Sequence, residues 1–418
     1  GSEMCIRDRM DTTFRSMYQG LYIYLSARKE RRDLLLSQRP PRFDESLDSM
    51  ISRSEDDFTR IALKAKAAQD YFLLIGPPGT GKTSCALKKM VETFHADKDA
   101  QILLLSYTNR AVDEICKSLA SIAPAVDFIR VGSELSCDEA YRGHLIENEL
   151  SSCNRRSEVY ERIRNCRIIV GTVAAISGKP ELFRLKHFDV AIIDEATQIL
   201  EPQLLGILCA RGEDGKDAID KFVLIGDHKQ LPAVVQQNTE QSAIYDESLL
   251  SIGLTNLKDS LFERLYRNCT ATVHRSYDML CRQGRMHPEV ALFANRAFYG
   301  GRLIPVGLPH QIESSDTICR LAFYPSVPEK AGASAKINYS EARIVADLAV
   351  RIYEDHQADF DESRTLGIIT PYRSQIALIK KEIESLGIPA LNRILVDTVE
   401  RFQGSERDVI IYSFCVNY

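Results

Sequence analysis

Residues 76–83, Gly-Pro-Pro-Gly-Thr-Gly-Lys-Thr, combine glycines, a lysine and a hydroxyl at the spacing of a phosphate-binding loop. Gly76, Gly79 and Gly81 let backbone N–H groups turn inward around a β-phosphate. Pro77, Pro78 and Thr80 complete the loop. Lys82 would reach the β- and γ-phosphates, and Thr83 would place its hydroxyl on Mg²⁺. An apolar run precedes the loop. A helical pattern follows it, with Cys85, Ala86, Met90, Val91 and Phe94 on one side. A chance Gly/Pro turn has no need of that context, whereas a nucleotide loop requires it.

The apolar run 190–193 ends in Asp194 and Glu195. Alone, such a pair is usually a solvated turn. At the carboxyl end of a buried parallel strand it lies where ligands gather. Asp194 would hold Mg²⁺ through water, and Glu195 would orient an attacking water and take its proton. Gln230 follows another apolar run, in Gly-Asp-His-Lys-Gln, and its amide suits both a γ-phosphate and a water. Arg285, in Gln-Gly-Arg-Met-His-Pro, is the type of group that completes phosphoryl transfer from a separate element, worth about 10³–10⁵ in rate. Its bland alternative is a surface ion pair. The catalytic candidates are therefore Lys82, Glu195, Gln230 and Arg285, with ATP and Mg²⁺ as cofactors.

Such groups need strands whose ends share one edge. Short apolar runs at 72–75, 102–105, 168–170, 190–193 and 222–225 alternate with helical patterns, the signature of a parallel α/β sheet. Residues 133–166 interrupt it with a polar, helix-rich insertion. A second alternating block has apolar runs at 367–369, 394–396 and 409–414, and a polar stretch around 268–276 separates the blocks. Upstream, Phe14, Met17, Tyr18, Leu21, Tyr22 and Leu25 recur at helical spacing. The expected division is a first α/β domain over 51–266, a second over 267–418, and a helical segment over 10–50. Residues 1–9 resemble translated adapter read-through and stay outside the fold reading. Both ends have the look of a cut fragment.

The net charge of −5 excludes a wholly basic coat or histone-like protein but leaves room for a local basic groove. The 11 cysteines contain no C-x-x-C, so no zinc ribbon is visible, and reduced thiols are expected. No apolar run approaches the roughly 20 residues of a membrane span, and no secretory leader is visible. A soluble, cytoplasmic monomer without membrane partners is expected.

The assembled segments resemble a superfamily 1 helicase. They run in order as 76–83, 106–115, 171–176, 194–198, 226–232, 283–290, 369–375 and 397–411. The branch is that of the nonsense-mediated-decay helicase and the eukaryotic replication helicase–nuclease. Asp-Glu-Ala-Thr-Gln at 194–198 resembles that branch's signature. The resemblance covers residues 70–418. It implies an α/β fold of two tandem RecA-like P-loop NTPase domains with parallel sheets, and ATP-driven 5′→3′ movement on single strands, with DNA favoured over RNA. It gives Lys82, Thr83, Asp194, Glu195, Gln230 and Arg285 the roles derived above. It adds Glu406 at the ribose and Gly404 near the γ-phosphate. It also brings Thr108, Asn109, Thr172, Pro371, Tyr372 and Thr398 to the nucleic acid. Thr108 and Asn109 precede a helical pattern whose N-terminus suits a strand phosphate, although a plain N-cap fits as well. Tyr372 offers a stacking face, with ordinary packing as the alternative. Arg155, Arg156, Arg162 and Arg164 read best as a solvated face.

The chain departs from the family at three places. Phe58-Thr59 stand where an adenine-reading glutamine is expected. Gly284 replaces an aromatic residue before Arg285. The family's final arginine-rich motif lies beyond residue 418, so slow hydrolysis and no unwinding are expected of this chain. A protein-remodelling P-loop ATPase, or a nucleotide-binding fragment with little turnover, are the competing readings.

Overall fold

Uncharged five-residue runs bounded by helical segments become the strands at the centre of the fold. In the computed structural model they are β1 (Tyr71–Ile75), β2 (Ile102–Ser106) and β4 (Ile168–Thr172), buried at every position. They are joined by β3 (Phe128–Val131), β5 (Phe188–Ile193), β6 (Ile219–Gly226) and β7 (Tyr277–Met279). The structure describes residues 2–151, 153, 155–233, 235, 237–272, 274–312, 320–328 and 336–415. It divides into two compact units, residues 1–315 and 316–418.

The seven strands form one sheet in the order β3-β4-β2-β5-β6-β1-β7, with every pairing parallel. Register fixes the functional edge. Ile75 lies opposite Gly226, Leu105 opposite Ile193, and Ser106 opposite Thr172. The loops after β1, β2, β5 and β6 therefore leave the sheet side by side. Successive side chains feed two cores. Tyr71, Leu73 and Ile75 pack with Phe183, Leu204 and Phe262, while Phe72 and Leu74 pack with Met90, Ile115 and Leu119. A sheet covered on both faces reads as continuous apolar runs, as this sequence does. Residues 133–166 do form a helix-rich insertion, including Arg156–Asn165. Arg162 there binds Asp127 and Glu149, which is a structural role.

The first unit continues past residue 266. The polar-looking stretch around 268–276 belongs largely to helix Leu261–Thr272, whose Leu261, Phe262, Leu265 and Cys269 are buried in the first core. β7 then adds to the sheet beside β1. A short parallel pair, β8 (Arg282–Gln283) with β9 (Ile304–Pro305), follows in the same unit. At the other end, helix Ser2–Leu25 extends across the segment set aside in the sequence reading.

The second unit has a three-stranded parallel sheet in the order β11-β10-β12, from β10 (Leu366–Ile369), β11 (Leu395–Asp397) and β12 (Val409–Tyr412). Helices Tyr339–Asp355 and Arg373–Ser385 supply Val345, Ala349, Ile379 and Ile383 to its core. Among the described residues, no helix is long and apolar enough to cross a membrane. The nine described cysteines are free thiols, six of them buried.

Candidate active site

The loop after β1 is shaped by two left-handed glycines, Gly79 and Gly81, each at φ +73°. A Cβ on Gly79 would stand 2.4 Å from the Cβ of Arg285, so only glycine fits there. Thr80 closes the turn, its hydroxyl and its N–H both donating to the Pro77 carbonyl at 2.7 and 3.3 Å. Beyond Gly81 the first helical turn is wide. The N–H groups of Cys85 and Ala86 both donate to the Gly81 carbonyl at 2.9 Å, before helix Lys88–His95 begins. Ala86, Met90, Val91 and Phe94 face the core as the periodicity requires, but Cys85 is exposed. The wide turn rotates it away from the buried stripe.

The two carboxylates after β5 divide between the lysine and the hydroxyl. Thr83 Oγ1 donates to Asp194 Oδ2 at 2.5 Å, and Lys82 Nζ lies 2.6 Å from Glu195 Oε1. Glu195 adopts φ +54°, a region that costs a non-glycine residue energy and is often used at functional turns. This sharp reversal lets consecutive residues serve different partners. Gln198 Nε2 donates to Glu195 Oε2 at 3.0 Å and fixes its second oxygen. Asp194 is almost wholly buried. Burial, and then the Glu195 charge, push its carboxyl up to about 6, against Lys82 and the Thr83 bond. Burial alone would lower the Lys82 ammonium, but Glu195 and Asp194 outweigh it and raise it.

Gln230 is anchored by its own loop. Its N–H donates to the Asp227 carbonyl at 3.1 Å and its Nε2 to Asp227 Oδ2 at 2.8 Å. Asp227 follows Gly226, whose carbonyl accepts from the Gly76 N–H at 2.9 Å, so this loop lies directly beside the phosphate loop. Arg285 reaches the same place from beyond β8. The Gly284 N–H donates to the Gly79 carbonyl at 2.9 Å. Buried Gln283 holds the turn, its Oε1 accepting from the N–H groups of Arg285 and Met286 at 3.0 and 2.8 Å. The structure thus gathers Lys82, Thr83, Asp194, Glu195, Gln230 and Arg285 at one edge of one unit.

The other expected positions separate by unit. Thr108 and Thr172 stand at the carboxyl ends of β2 and β4 as N-caps. Their hydroxyls accept from Ala111 and Ala175 N–H groups at 3.2 and 3.1 Å. Thr108 is exposed, its neighbour Asn109 is half-buried, and Thr172 is buried. Pro371, Tyr372 and Thr398 follow β10 and β11 in the second unit; Pro371 is exposed, while Tyr372 and Thr398 are half-buried. Gly404, at φ +76°, and exposed Glu406 lie in the turn before β12. Sequence reading missed the supports: Asp227, Gln198, Gln283 and Tyr299. Asp227, Gln198 and Gln283 sit inside motifs already recognised. Tyr299 carried no signal at all.

The arrangement fits a nucleoside triphosphate with a divalent cation. The glycine cradle excludes side chains, Lys82 supplies a positive charge, and Thr83 with Asp194 offers two adjoining oxygens. That is a P-loop NTPase core. Two AAA domain family models match the chain, one over residues 53–156 and 146–238, the other over 257–417. The chain belongs to the superfamily 1 helicases, in the branch of the nonsense-mediated-decay and replication helicases. It is 28% identical over 438 residues to the DNA replication ATP-dependent helicase/nuclease DNA2 of Bos taurus, covering 93% of this chain and 37% of that protein. It is 24% identical to the DNA polymerase alpha-associated DNA helicase A of Saccharomyces cerevisiae, over 97% of this chain and 67% of that one. A solved complex of Arterivirus nonstructural protein 10 (helicase) with DNA aligns with TM-score 0.37 at 14% identity, covering 82% of this chain and 63% of that one. The chain spans well under half the length of the helicase/nuclease relatives it matches.

Proposed function

We propose that the chain hydrolyses ATP with Mg²⁺ and uses the cycle to move 5′→3′ along single-stranded DNA. One observation carries the reading: Thr83 with Asp194, and Lys82 with Glu195, form two adjoining pairs on the edge that the glycine loop opens. Residues 76–83 hold the phosphates. Thr83 and Asp194 would hold Mg²⁺, which would supply positive charge to the phosphates. Lys82 binds the β- and γ-phosphates. Glu195 takes the proton of the attacking water, Gln230 orients that water, and Arg285 meets the charge developing on the γ-phosphoryl group. Gly404 and Glu406 contribute γ-phosphate and ribose contacts. Thr108, Asn109, Thr172, Pro371, Tyr372 and Thr398 meet the strand. The relatives named above are DNA helicases, which favours DNA over RNA as the strand.

The test is ATP turnover with and without single-stranded DNA, together with strand affinity at several salt concentrations. Turnover should rise with the strand. Affinity should fall with salt at a log–log slope of roughly −0.7 for each phosphate neutralised. Displacement of streptavidin from 5′- against 3′-tagged strands reads the direction. Turnover indifferent to single strands, with no strand binding by folded chain, would favour the protein-remodelling reading instead.

A further inference from the structure

Tyr299 ends helix Pro288–Tyr299, which His287 caps two residues after Arg285. Its ring is buried, and its hydroxyl donates to Asp227 Oδ2 at 2.7 Å. The same oxygen accepts Gln230 Nε2 at 2.8 Å. The second Asp227 oxygen, Oδ1, accepts the Lys229 N–H at 3.0 Å. Asp227 is itself almost wholly buried. Burial, and then the bond to Asp227, raise the Tyr299 hydroxyl well above its ordinary range, which keeps it a donor.

A carboxylate accepts and does not donate, so the nitrogen of the Gln230 amide must face Asp227. That leaves Oε1 as the amide atom outside this network. Oriented so, Gln230 presents Oε1 as a hydrogen-bond acceptor toward a water, and its nitrogen has one further N–H to donate. Without Tyr299, one strong partner of Asp227 is lost and the carboxylate is freer to turn, taking Gln230 with it. The same helix starts next to the turn that Gln283 and Gly284 fasten to the phosphate loop. One helix therefore begins three residues after Arg285 and ends on the carboxylate that aims Gln230.

We infer that Tyr299 is a positioning residue for hydrolysis: through Asp227 it fixes the direction of the Gln230 amide and ties it to the segment bearing Arg285. The inference rests on the ATPase reading above. The test compares the full chain with Tyr299→Phe, Gln230→Ala and the double variant. It reads kcat and KM for ATP, the affinity for a fluorescent ATP analogue, and turnover per nucleotide-binding molecule. Tyr299→Phe should lower kcat about tenfold or more, as small misplacements of reacting groups do. Analogue affinity should stay within about twofold. The double variant should be no slower than Gln230→Ala, because the two act in one chain.

Equal kcat for Tyr299→Phe and the parent, or losses that multiply in the double variant, overturn the inference. So does a loss of analogue affinity at unchanged kcat, the mark of a merely structural role. If Tyr299→Phe does not fold, Asp227→Asn is read in its place, and an unchanged kcat there also overturns it. A parent no faster than Lys82→Ala overturns the ATPase reading, and this inference with it. An active parent with an unaffected Tyr299→Phe overturns this inference alone.

Discussion

The two parallel sheets hold their motif residues in different ways. In the first unit, β1 and β2 are buried at every position, and the groups that follow β1 and β5 are hydrogen-bonded to one another. In the second unit, the sheet has three strands, and Ile410 and Tyr412 of β12 are exposed at 44% and 41%. Its Pro371 and Tyr372 lie at or near the surface. Phosphoryl transfer needs charges held in place before the reaction, and a deep sheet with doubly bonded side chains provides that. A strand of nucleic acid is large and must arrive from solvent, so its contacts need accessible faces instead. The contrast predicts that damage at Lys82 or Glu195 stops chemistry, while damage at Tyr372 changes grip.

The largest expected effect is Lys82→Ala. It removes the positive charge at the phosphates and leaves Glu195 without its 2.6 Å partner. ATP turnover should become undetectable, and nucleotide affinity should fall as well. Glu195→Gln is the sharper probe. The amide keeps the shape and cannot accept the water's proton, so kcat should fall by about 10²–10⁴ with nucleotide still bound. Pre-steady-state turnover beside equilibrium binding separates the two. A Glu195→Gln chain that hydrolyses like its parent would move the base elsewhere and weaken the contrast between the edges.

The phosphate loop, the acidic pair and five of the seven strands of the first sheet were legible because each rests on local sequence. An uncharged run with a fixed spacing behind it leaves few alternatives. β3 was not legible: its Phe-Ile-Arg-Val carries Arg130, which is buried and paired with Asp113, and a lone charge breaks the apolar pattern. β7 was missed because three residues including Asp278 carry too little pattern, and its place is set by pairing with β1. The last turn of helix Leu261–Thr272 read as part of a polar stretch because Asn268, Thr270 and Thr272 carry no apolar pattern, and upstream Arg264 sits in its buried face. Glu201 neutralises that arginine from 63 residues away. Tyr299 is the clearest case at the site. Its role depends on Asp227, 72 residues upstream, and nothing local marks it.

On the second edge, Tyr372→Ala tests grip. A lost stacking face should weaken single-stranded DNA binding by about 1–3 kcal/mol, and unstimulated ATP turnover should stay as it was. Titration of a labelled oligonucleotide beside strand-free turnover reads both. If unstimulated turnover fell instead, Tyr372 would belong with the chemistry, and the division between accessible and pre-bonded residues would fail.

The smallest effect tests a place where the first edge resembles the second. Thr108 is exposed, yet its hydroxyl caps helix Asn109–Ala120 at Ala111. Thr108→Ala removes the cap, at a cost of about 0.5–2 kcal/mol in stability. That helix also buries Val112, Ile115, Cys116 and Leu119, so the fold should survive. If Thr108 also meets a strand phosphate, single-stranded DNA affinity should fall a few-fold. The salt slope should not change, because no charge is lost. Thr108→Ser keeps the hydroxyl and should restore both properties. A Thr108→Ala chain with a lower melting temperature but parental DNA affinity would make Thr108 a cap and nothing more. The nucleic-acid contacts would then rest on the other proposed positions, Pro371 and Tyr372 foremost.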